Sequence, residues 1–322
     1  MKAITQDTYG STDVLELRDV DRPMIGADEV LIRVRAAGVN IADWAVMSGL
    51  PYIARPAYGF RRPKADVRGT DVAGTIEAVG SAVTRFEVGD DVFGASDGSY
   101  ADFTAASESK VARKPSNLTY EQAAAVPMAG LVALQALRDH GHVGPGQKVL
   151  INGASGGIGT FAIQIAKALG AHVTGVTSTR NVALVRSLGA DEVIDYTKDD
   201  FTAIDRQYDF ILDNVSNHSL SELRRALTPS GVLVPNGGNF ANRWFAGGGR
   251  ILRAVVLSQF ISQKLRNFLV STTAEDLDAL RDLIEAGKVT PVIDRAYPLE
   301  EARAAIDHVS AGHARGKVAI TV

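Results

Sequence analysis

The stretch Val149-Leu150-Ile151-Asn152-Gly153-Ala154-Ser155-Gly156-Gly157-Ile158-Gly159 runs on into Thr160-Phe161-Ala162-Ile163-Gln164-Ile165-Ala166-Lys167-Ala168-Leu169-Gly170, and it constrains this chain more than any other feature. A short apolar run ending at glycine reads as a buried strand, and the longer apolar run after the glycines reads as a helix. A glycine-rich turn between the two aims free backbone N–H groups at a phosphate. Gly153 permits the tight bend, Gly156 lets the backbone approach a pyrophosphate, and Gly159 lets the helix pack close to the strand. The alternative is a tight strand–helix turn with no ligand. Nucleotide binding is the leading expectation, with hydride transfer as its chemistry.

The surroundings agree with that motif. Strands are predicted at 148–152, 172–176, 192–194, 209–213, 231–235 and about 267–270, with helices near 157–169, 180–188 and 219–227. Such alternation with short links is the signature of a Rossmann-type, doubly wound parallel sheet in an α/β protein. Residues 1 to about 120 are mainly β in pattern, as in Val30–Ala36, Thr75–Gly80 and Gly89–Gly94, and a helical region runs from Tyr120 through Leu137. A further helix is predicted over Glu275–Ala286, and the strand-like end Gly316–Val322 is expected to rejoin the first lobe. The expected division is 1–124, a β-rich domain; 125–267, the nucleotide-binding domain; and 268–322, the last strand of that sheet and the return to the first domain. The basic stretch Arg55–Arg68 (Arg55, Arg61, Arg62, Lys64 and Arg68) reads as a solvated loop, the alternative being a substrate or cofactor contact, and Ala54–Lys64, with Tyr58 and Phe60, has the composition to line or lid a substrate site.

Composition narrows the chemistry. The chain has 322 residues and no cysteine, which excludes disulfides, thiolate metal sites and a cysteine nucleophile. A net charge of −3 supplies no field for nucleic acid or an anionic membrane. No apolar run approaches the roughly 20 residues of a membrane span. The start Met1-Lys2-Ala3-Ile4-Thr5-Gln6-Asp7 turns polar too early for a signal peptide, so a cytoplasmic location and a small-molecule partner are expected.

The end of the second strand selects the coenzyme. An NAD site places a carboxylate there, about 20 residues beyond the glycines, for the ribose 2′-OH. This chain has Val176-Thr177-Ser178-Thr179-Arg180-Asn181 instead. Hydroxyls and a cation suit a 2′-phosphate, so Ser178 and Arg180 are assigned to it and NADPH is favoured. The alternative is a helix N-cap by Ser178 or Thr179 beside an exposed arginine. Tyr196, after the next strand, either flanks the same phosphate or the adenine, or is a surface tyrosine. The loop residues Ser155, Gly156, Gly157 and Ile158 complete the expected cradle.

Other chemistries fit some of the same letters. Gly153-Ala154-Ser155-Gly156-Gly157 matches the Gly-x-Ser-x-Gly elbow of serine hydrolases, and Asp213 with His308 or His313 follows in the right chain order. Against it stand the extra Gly159, the β-rich lobe upstream and the lack of a His-Gly-Gly-type oxyanion segment. No tyrosine has lysine four residues later, and His140-x-His142 sits in a polar loop without partners for a metal. A third reading is an NADPH-binding sensor without turnover.

Several segments together carry a family resemblance. They are Gly38-Val39-Asn40-Ile41-Ala42-Asp43-Trp44, Ser48-Gly49-Leu50-Pro51-Tyr52, Gly69 through Gly80, Phe86 through Gly94, Ala129-Gly130-Leu131, Ser187 through Tyr196, and His313-Ala314-Arg315-Gly316-Lys317. In that order they resemble the zinc-independent quinone oxidoreductases (ζ-crystallin-like) of the medium-chain dehydrogenase/reductase superfamily. The resemblance implies a chaperonin-10-like β-barrel catalytic domain beside the Rossmann domain, with the active site in the cleft between them. It also implies a homodimer through the edge of the Rossmann sheet, here near Phe268. Zinc-dependent relatives carry a ligand cysteine in one loop and a His-Glu pair in another; this chain has Asn40 through Asp43 and Gly69-Thr70-Asp71 there.

Without a metal, hydride acceptors that spread charge themselves are favoured, namely quinones and α,β-unsaturated carbonyls. The family positions matching Asn40 and Tyr52 lie beside nicotinamide and substrate, so both are candidate donors, with Asp43 as an orienting or proton-relay group. For Asn40 and Asp43 the alternative is a locally hydrogen-bonded turn. Backbone contacts to the coenzyme are implied at Val215, Gly237, Leu269 and Val270.

Overall fold

The computed structural model describes residues 1–237, 243–244, 261–312 and 314–322. The chain forms two compact units, one of Met1–Leu131, Ser271–Gly287 and Pro291–Val322, the other of Val132–Val270 and Lys288–Thr290.

In the first unit β1 (Lys2–Thr5) and β2 (Glu16–Asp19) form an antiparallel ribbon. The strand β3 (Glu29–Val39) alternates buried and exposed residues at first and is buried throughout its last four, Ala36–Val39. Helix α1 (Ile41–Ser48) begins almost at once. Its start is fixed by Asp43, whose Oδ2 accepts the Asn40 N–H at 2.7 Å, and its end by Gly49 at φ 66°, which only glycine adopts readily. A single turn, α2 (Arg55–Tyr58), precedes β4 (Asp71–Val79), β5 (Asp91–Ala95), β6 (Phe103–Ser107) and β7 (Val111–Arg113). Helix α3 (Tyr120–Ala124) is capped reciprocally by Thr119 and Gln122, and α4 (Pro127–Gln135) carries the chain into the second unit.

The second unit runs β8 (Lys148–Asn152), α5 (Gly157–Ala168), β9 (His172–Thr177), α6 (Val182–Ser187), β10 (Glu192–Asp195), β11 (Tyr208–Asp213), α7 (Leu220–Arg225), β12 (Leu227–Pro235) and β13 (Lys264–Leu265). Every pair in this sheet is parallel, in the order β10-β9-β8-β11-β12-β13. Val149, Leu150 and Ile151 on β8 are fully buried, as a strand covered on both faces requires. The strand order reverses at β8, so the glycine turn leaves the sheet at its topological switch point.

The chain then returns to the first unit through α8 (Ala274–Glu285), β14 (Ile293–Pro298), α9 (Ala302–Ser310) and β15 (Lys317–Thr321). The mixed sheet there has the path β14-β15-β3-β4-β5-β7, with β6 also paired to β3. The expected return of the C-terminal strand is therefore present, antiparallel to β3.

Two expectations need correction. The last strand of the Rossmann sheet is Lys264–Leu265, not 267–270. Leu265 is the side chain buried in the core, whereas Leu269 is 94 % exposed and the Phe268 ring stacks on His140 with centroids 4.3 Å apart. Leu269 and Val270 thus follow the strand rather than end it. The Arg55–Arg68 stretch is not solvated throughout, because Arg68 is buried and α2 interrupts the loop. Among the described residues no helix is long and apolar enough to cross a membrane. His313 lies outside the described residues.

Candidate functional site

Because the nucleotide unit's strands are parallel, their C-terminal ends share one edge of the sheet. That edge gathers most of the predicted coenzyme residues: Ser155, Gly156, Gly157 and Ile158 after β8, Ser178 and Arg180 after β9, Tyr196 after β10, Val215 after β11, and Gly237 after β12. Leu269 and Val270 lie beyond β13, outside the pairing.

The glycine turn fits a phosphate for identifiable reasons. Gly153 sits at φ 78°, the left-handed region. A Cβ on Gly159 would lie 2.2 Å from Gly153 O, so the helix start and the turn touch backbone to backbone. A Cβ on Gly156 would meet only Gly153 O, at 3.5 Å, an ordinary contact. The protein itself therefore does not require glycine at 156, and the space beside it is a cradle that a side chain would fill. The first N–H groups of α5 have no acceptor within the helix, which suits an anion. Ser155, Gly156, Gly157 and Ile158 would hold a pyrophosphate there.

Ser155 Oγ accepts hydrogen bonds from Thr177 Oγ1 at 2.9 Å and from Asn181 Nδ2 at 3.0 Å. With its lone pairs engaged, its own proton remains to be donated outward. Neither partner is a base, and Asp213 accepts from Asn152 Nδ2 and the Val215 and Ser216 N–H groups. His308 Nε2 lies 2.7 Å from Asp294 Oδ2. The hydrolase reading is therefore not supported.

Ser178 precedes a single 3₁₀ turn over Thr179–Asn181, and its side chain makes no cap bond to it. Arg180 is exposed, and Tyr196, 59 % exposed, donates its N–H to Thr177 O at 3.0 Å. Asp195 is a neighbour that the linear sequence did not flag. It stands level with Thr177 on β10, and hydrogen bonds from the Thr179 and Thr197 hydroxyls hold it down to about 2.

The first unit contains a buried polar cluster where β15, β3 and β4 lie side by side. Asn40, directly after β3, donates from Nδ2 to Asp71 Oδ2 at 2.9 Å and accepts at Oδ1 from Lys317 Nζ. Lys317 Nζ also reaches Val39 O at 3.2 Å and lies 3.9 Å from Asp71 Oδ2. Asp71 further accepts the Met128 N–H. Asp43 Oδ2 accepts both the Asn40 N–H and, at 3.0 Å, the Tyr100 hydroxyl. Burial, helped by the charge of Asp71, pushes the Asp43 carboxyl up to about 6, against the pull of the Asn40 N–H, Tyr100 and Lys317. Burial likewise raises Asp71 and lowers Lys317, each opposed by the other's charge.

Asp43 opens on a cavity of about 230 Å³, lined also by Tyr58, Lys64, Arg68, Thr70 and Asp97. Among the described residues, Arg68 Nε and Thr70 Oγ1 are buried atoms with no hydrogen-bond partner, so they are available to an oxygen-bearing ligand. Asn40 and Asp43 are brought together at the start of α1, where Asp43 lines the cavity and Asn40 does not. Tyr52 is half-buried under the Arg55 guanidinium, 4.7 Å from its ring centre, and does not line the cavity. Tyr58, singled out only for its loop, does. Asp71, Tyr100 and Lys317 were missed as site residues, and Arg68 was named only within the basic stretch, where a substrate or cofactor contact was the alternative to a solvated loop. Their positions are ordinary in sequence and become informative only when the strands bring them together.

Among the described residues no group of three or more His, Cys, Asp or Glu side chains is arranged to hold a metal. His140, read as part of a polar loop, is packed on Phe268.

Comparisons with known proteins bear on this geometry. An alcohol dehydrogenase GroES-like domain model matches residues 26–136, and a zinc-binding dehydrogenase model matches 188–320. The bovine (Bos taurus) mitochondrial NAD(P)H oxidoreductase RTN4IP1 is 35 % identical, over 100 % of this chain and 89 % of its own. The tomato (Solanum lycopersicum) 2-methylene-furan-3-one reductase is 35 % identical, over 99 % of this chain and 79 % of its own. Among solved structures, the quinone oxidoreductase of Coxiella burnetii aligns with a TM-score of 0.86 and 31 % identity, over 100 % of this chain and 99 % of that one.

Proposed function

The chain belongs to the zinc-independent quinone oxidoreductases of the medium-chain dehydrogenase/reductase superfamily, and from that premise we propose that it reduces a quinone or an α,β-unsaturated carbonyl with NADPH. Two observations, each within its own unit, support the reading: an anion cradle around Gly156, and a buried carboxyl at Asp43, raised to about 6, that lines a polar cavity.

Bound coenzyme supplies the hydride. Ser178 and Arg180 select its 2′-phosphate, Tyr196 flanks them, and Ser155 donates its one free proton to a phosphate oxygen. On the acceptor side, hydride addition leaves negative charge on a carbonyl oxygen. Asn40 Nδ2 keeps one N–H beyond the bond to Asp71 and steadies that oxygen. Both hydrogen bonds to Asp43 fall on Oδ2, so Oδ1 carries the proton that Asp43 delivers. Thr70 and Arg68 orient the acceptor. Tyr52 has no assigned step in this arrangement.

A homodimer and a cytoplasmic location complete the proposal, to be checked by light scattering of the purified protein and by fractionation of the source cells. The central test is NADPH oxidation, followed by absorbance, with a panel of small quinones and enones. Turnover with at least one conjugated acceptor is expected. Failure to bind NADPH ends the reading, and tight binding with no acceptor reduced leaves a sensor.

A further inference from the structure

Asn40 is strung between a buried cation and a buried anion. The sheet path β15-β3-β4 places Lys317, at the start of β15, on one side of it and Asp71, at the start of β4, on the other. All three side chains are more than nine-tenths buried. An amide oxygen only accepts and an amide nitrogen only donates. Turning the Asn40 amide over would set its N–H groups against the ammonium and its oxygen against the carboxylate. One orientation is therefore enforced by charge on both ends.

A pair that served only to neutralise buried charge would close on itself. Here the two charges stay 3.9 Å apart, while each makes a hydrogen bond to the amide. Asp71 also takes the Met128 N–H, which holds the carboxylate in place independently of Asn40.

We propose that Lys317 and Asp71 are positioning residues that lock the Asn40 amide so that its second N–H is presented to the acceptor oxygen. Fixing the plane of the amide through Oδ1 and one N–H fixes the direction of the other. The inference rests on the reading of Asn40 as the donor to that oxygen.

The test is a double-mutant cycle on the full chain at saturating NADPH, using Asn40→Ala, Lys317→Met and the two combined. Asn40→Ala is expected to lower kcat about 100-fold, the scale of one lost oxyanion donor. Lys317→Met is expected to lower kcat between about 10- and 100-fold with little change in KM, and the double variant to be no worse than Asn40→Ala alone. The Kd for NADPH, read by nucleotide fluorescence, is expected to stay within about 3-fold, as for variants that remain folded. Should Lys317→Met lose that binding, Lys317→Gln carries the same cycle. It keeps a donor toward Asn40 Oδ1 without the charge, and a loss of about 10-fold in kcat is expected. A parental kcat for Asn40→Ala overturns the reading of Asn40 itself. An impaired Asn40→Ala with an unimpaired Lys317 variant, or losses that multiply in the double variant, overturns the positioning role alone.

Discussion

Replacing Asp43 by asparagine separates its structural burden from its chemistry. The carboxyl is raised from an ordinary 3.8 to about 6, chiefly because burial opposes its charge. Its folded form therefore holds a proton more tightly than the unfolded chain does. Folding binds protons between these two values, so stability falls as pH rises from 3.8 through about 6 and is level above. The destabilisation amounts to about 1 kcal/mol at pH 4.5 and about 3 kcal/mol at pH 7.5. Both hydrogen bonds fall on a single oxygen, Oδ2, so an asparagine placed with its oxygen there keeps the Asn40 and Tyr100 contacts. The stability of Asp43→Asn relative to the parent is expected to improve by about 2 kcal/mol between pH 4.5 and 7.5. The neighbouring Trp44 supplies the signal for urea unfolding. Trp244, which is 64 % exposed, is replaced by phenylalanine in both proteins to isolate it. The same variant is expected to lose about 10²–10⁴-fold in kcat, as a missing general acid does. Parallel stability curves across that pH range would show that Asp43 is not the strained group described, and unchanged turnover would remove it from the proton path.

Arg180→Ala is expected to weaken NADPH binding by about 10- to 100-fold while changing NADH binding less than about 2-fold, because only the 2′-phosphate offers a charge-assisted bond. Equal losses refute the assignment. Gly156→Ala places a Cβ 3.5 Å from Gly153 O, so the unfolding temperature without coenzyme should stay within about 2 °C while the NADPH Kd rises at least about 10-fold. Retained affinity would put the phosphates elsewhere. Dialysis against a chelator should leave turnover of cyclohexenone intact, with cyclohexanone not reduced. Activity lost on chelation and restored by zinc would contradict the metal-free scheme.

Local order in the chain was legible wherever one short segment held the whole pattern. The β8–turn–α5 unit is written in consecutive letters, since a buried strand, three spaced glycines and an apolar helix determine one another. The C-terminal return was legible because Lys317–Thr321 has strand character and pairs with β3 as expected. The last Rossmann strand was misplaced for a physical reason. Phe268-Leu269-Val270 is more apolar than Lys264-Leu265, yet pairing with β12 requires one buried side chain in register, which Leu265 supplies. The candidate site was half legible. Asn40 and Asp43 share one helix start, whereas Asp71 and Lys317, the latter 277 residues away, meet Asn40 only across β15, β3 and β4, and Tyr100 reaches Asp43 from the segment between β5 and β6. A lysine inside a β-strand ending carries no linear mark that its ammonium is buried.

The same cluster explains why the acceptor must do part of the work. In zinc-dependent relatives, by the resemblance, a dication stands at these two loops and stabilises a localised alkoxide. Here the loops present an amide N–H from Asn40 and the hydroxyl of Thr70. One such donor is worth about 3–4 kcal/mol to a developing oxyanion when held in place. That is enough only if the oxyanion begins partly stabilised by conjugation, and only if the donor does not have to reorganise. Lys317 and Asp71 meet the second condition by holding the amide before the acceptor arrives. Quinones and enones meet the first. Placement of two buried charges around one neutral side chain, costly as burial is, is thus what allows weak donors to serve this reaction.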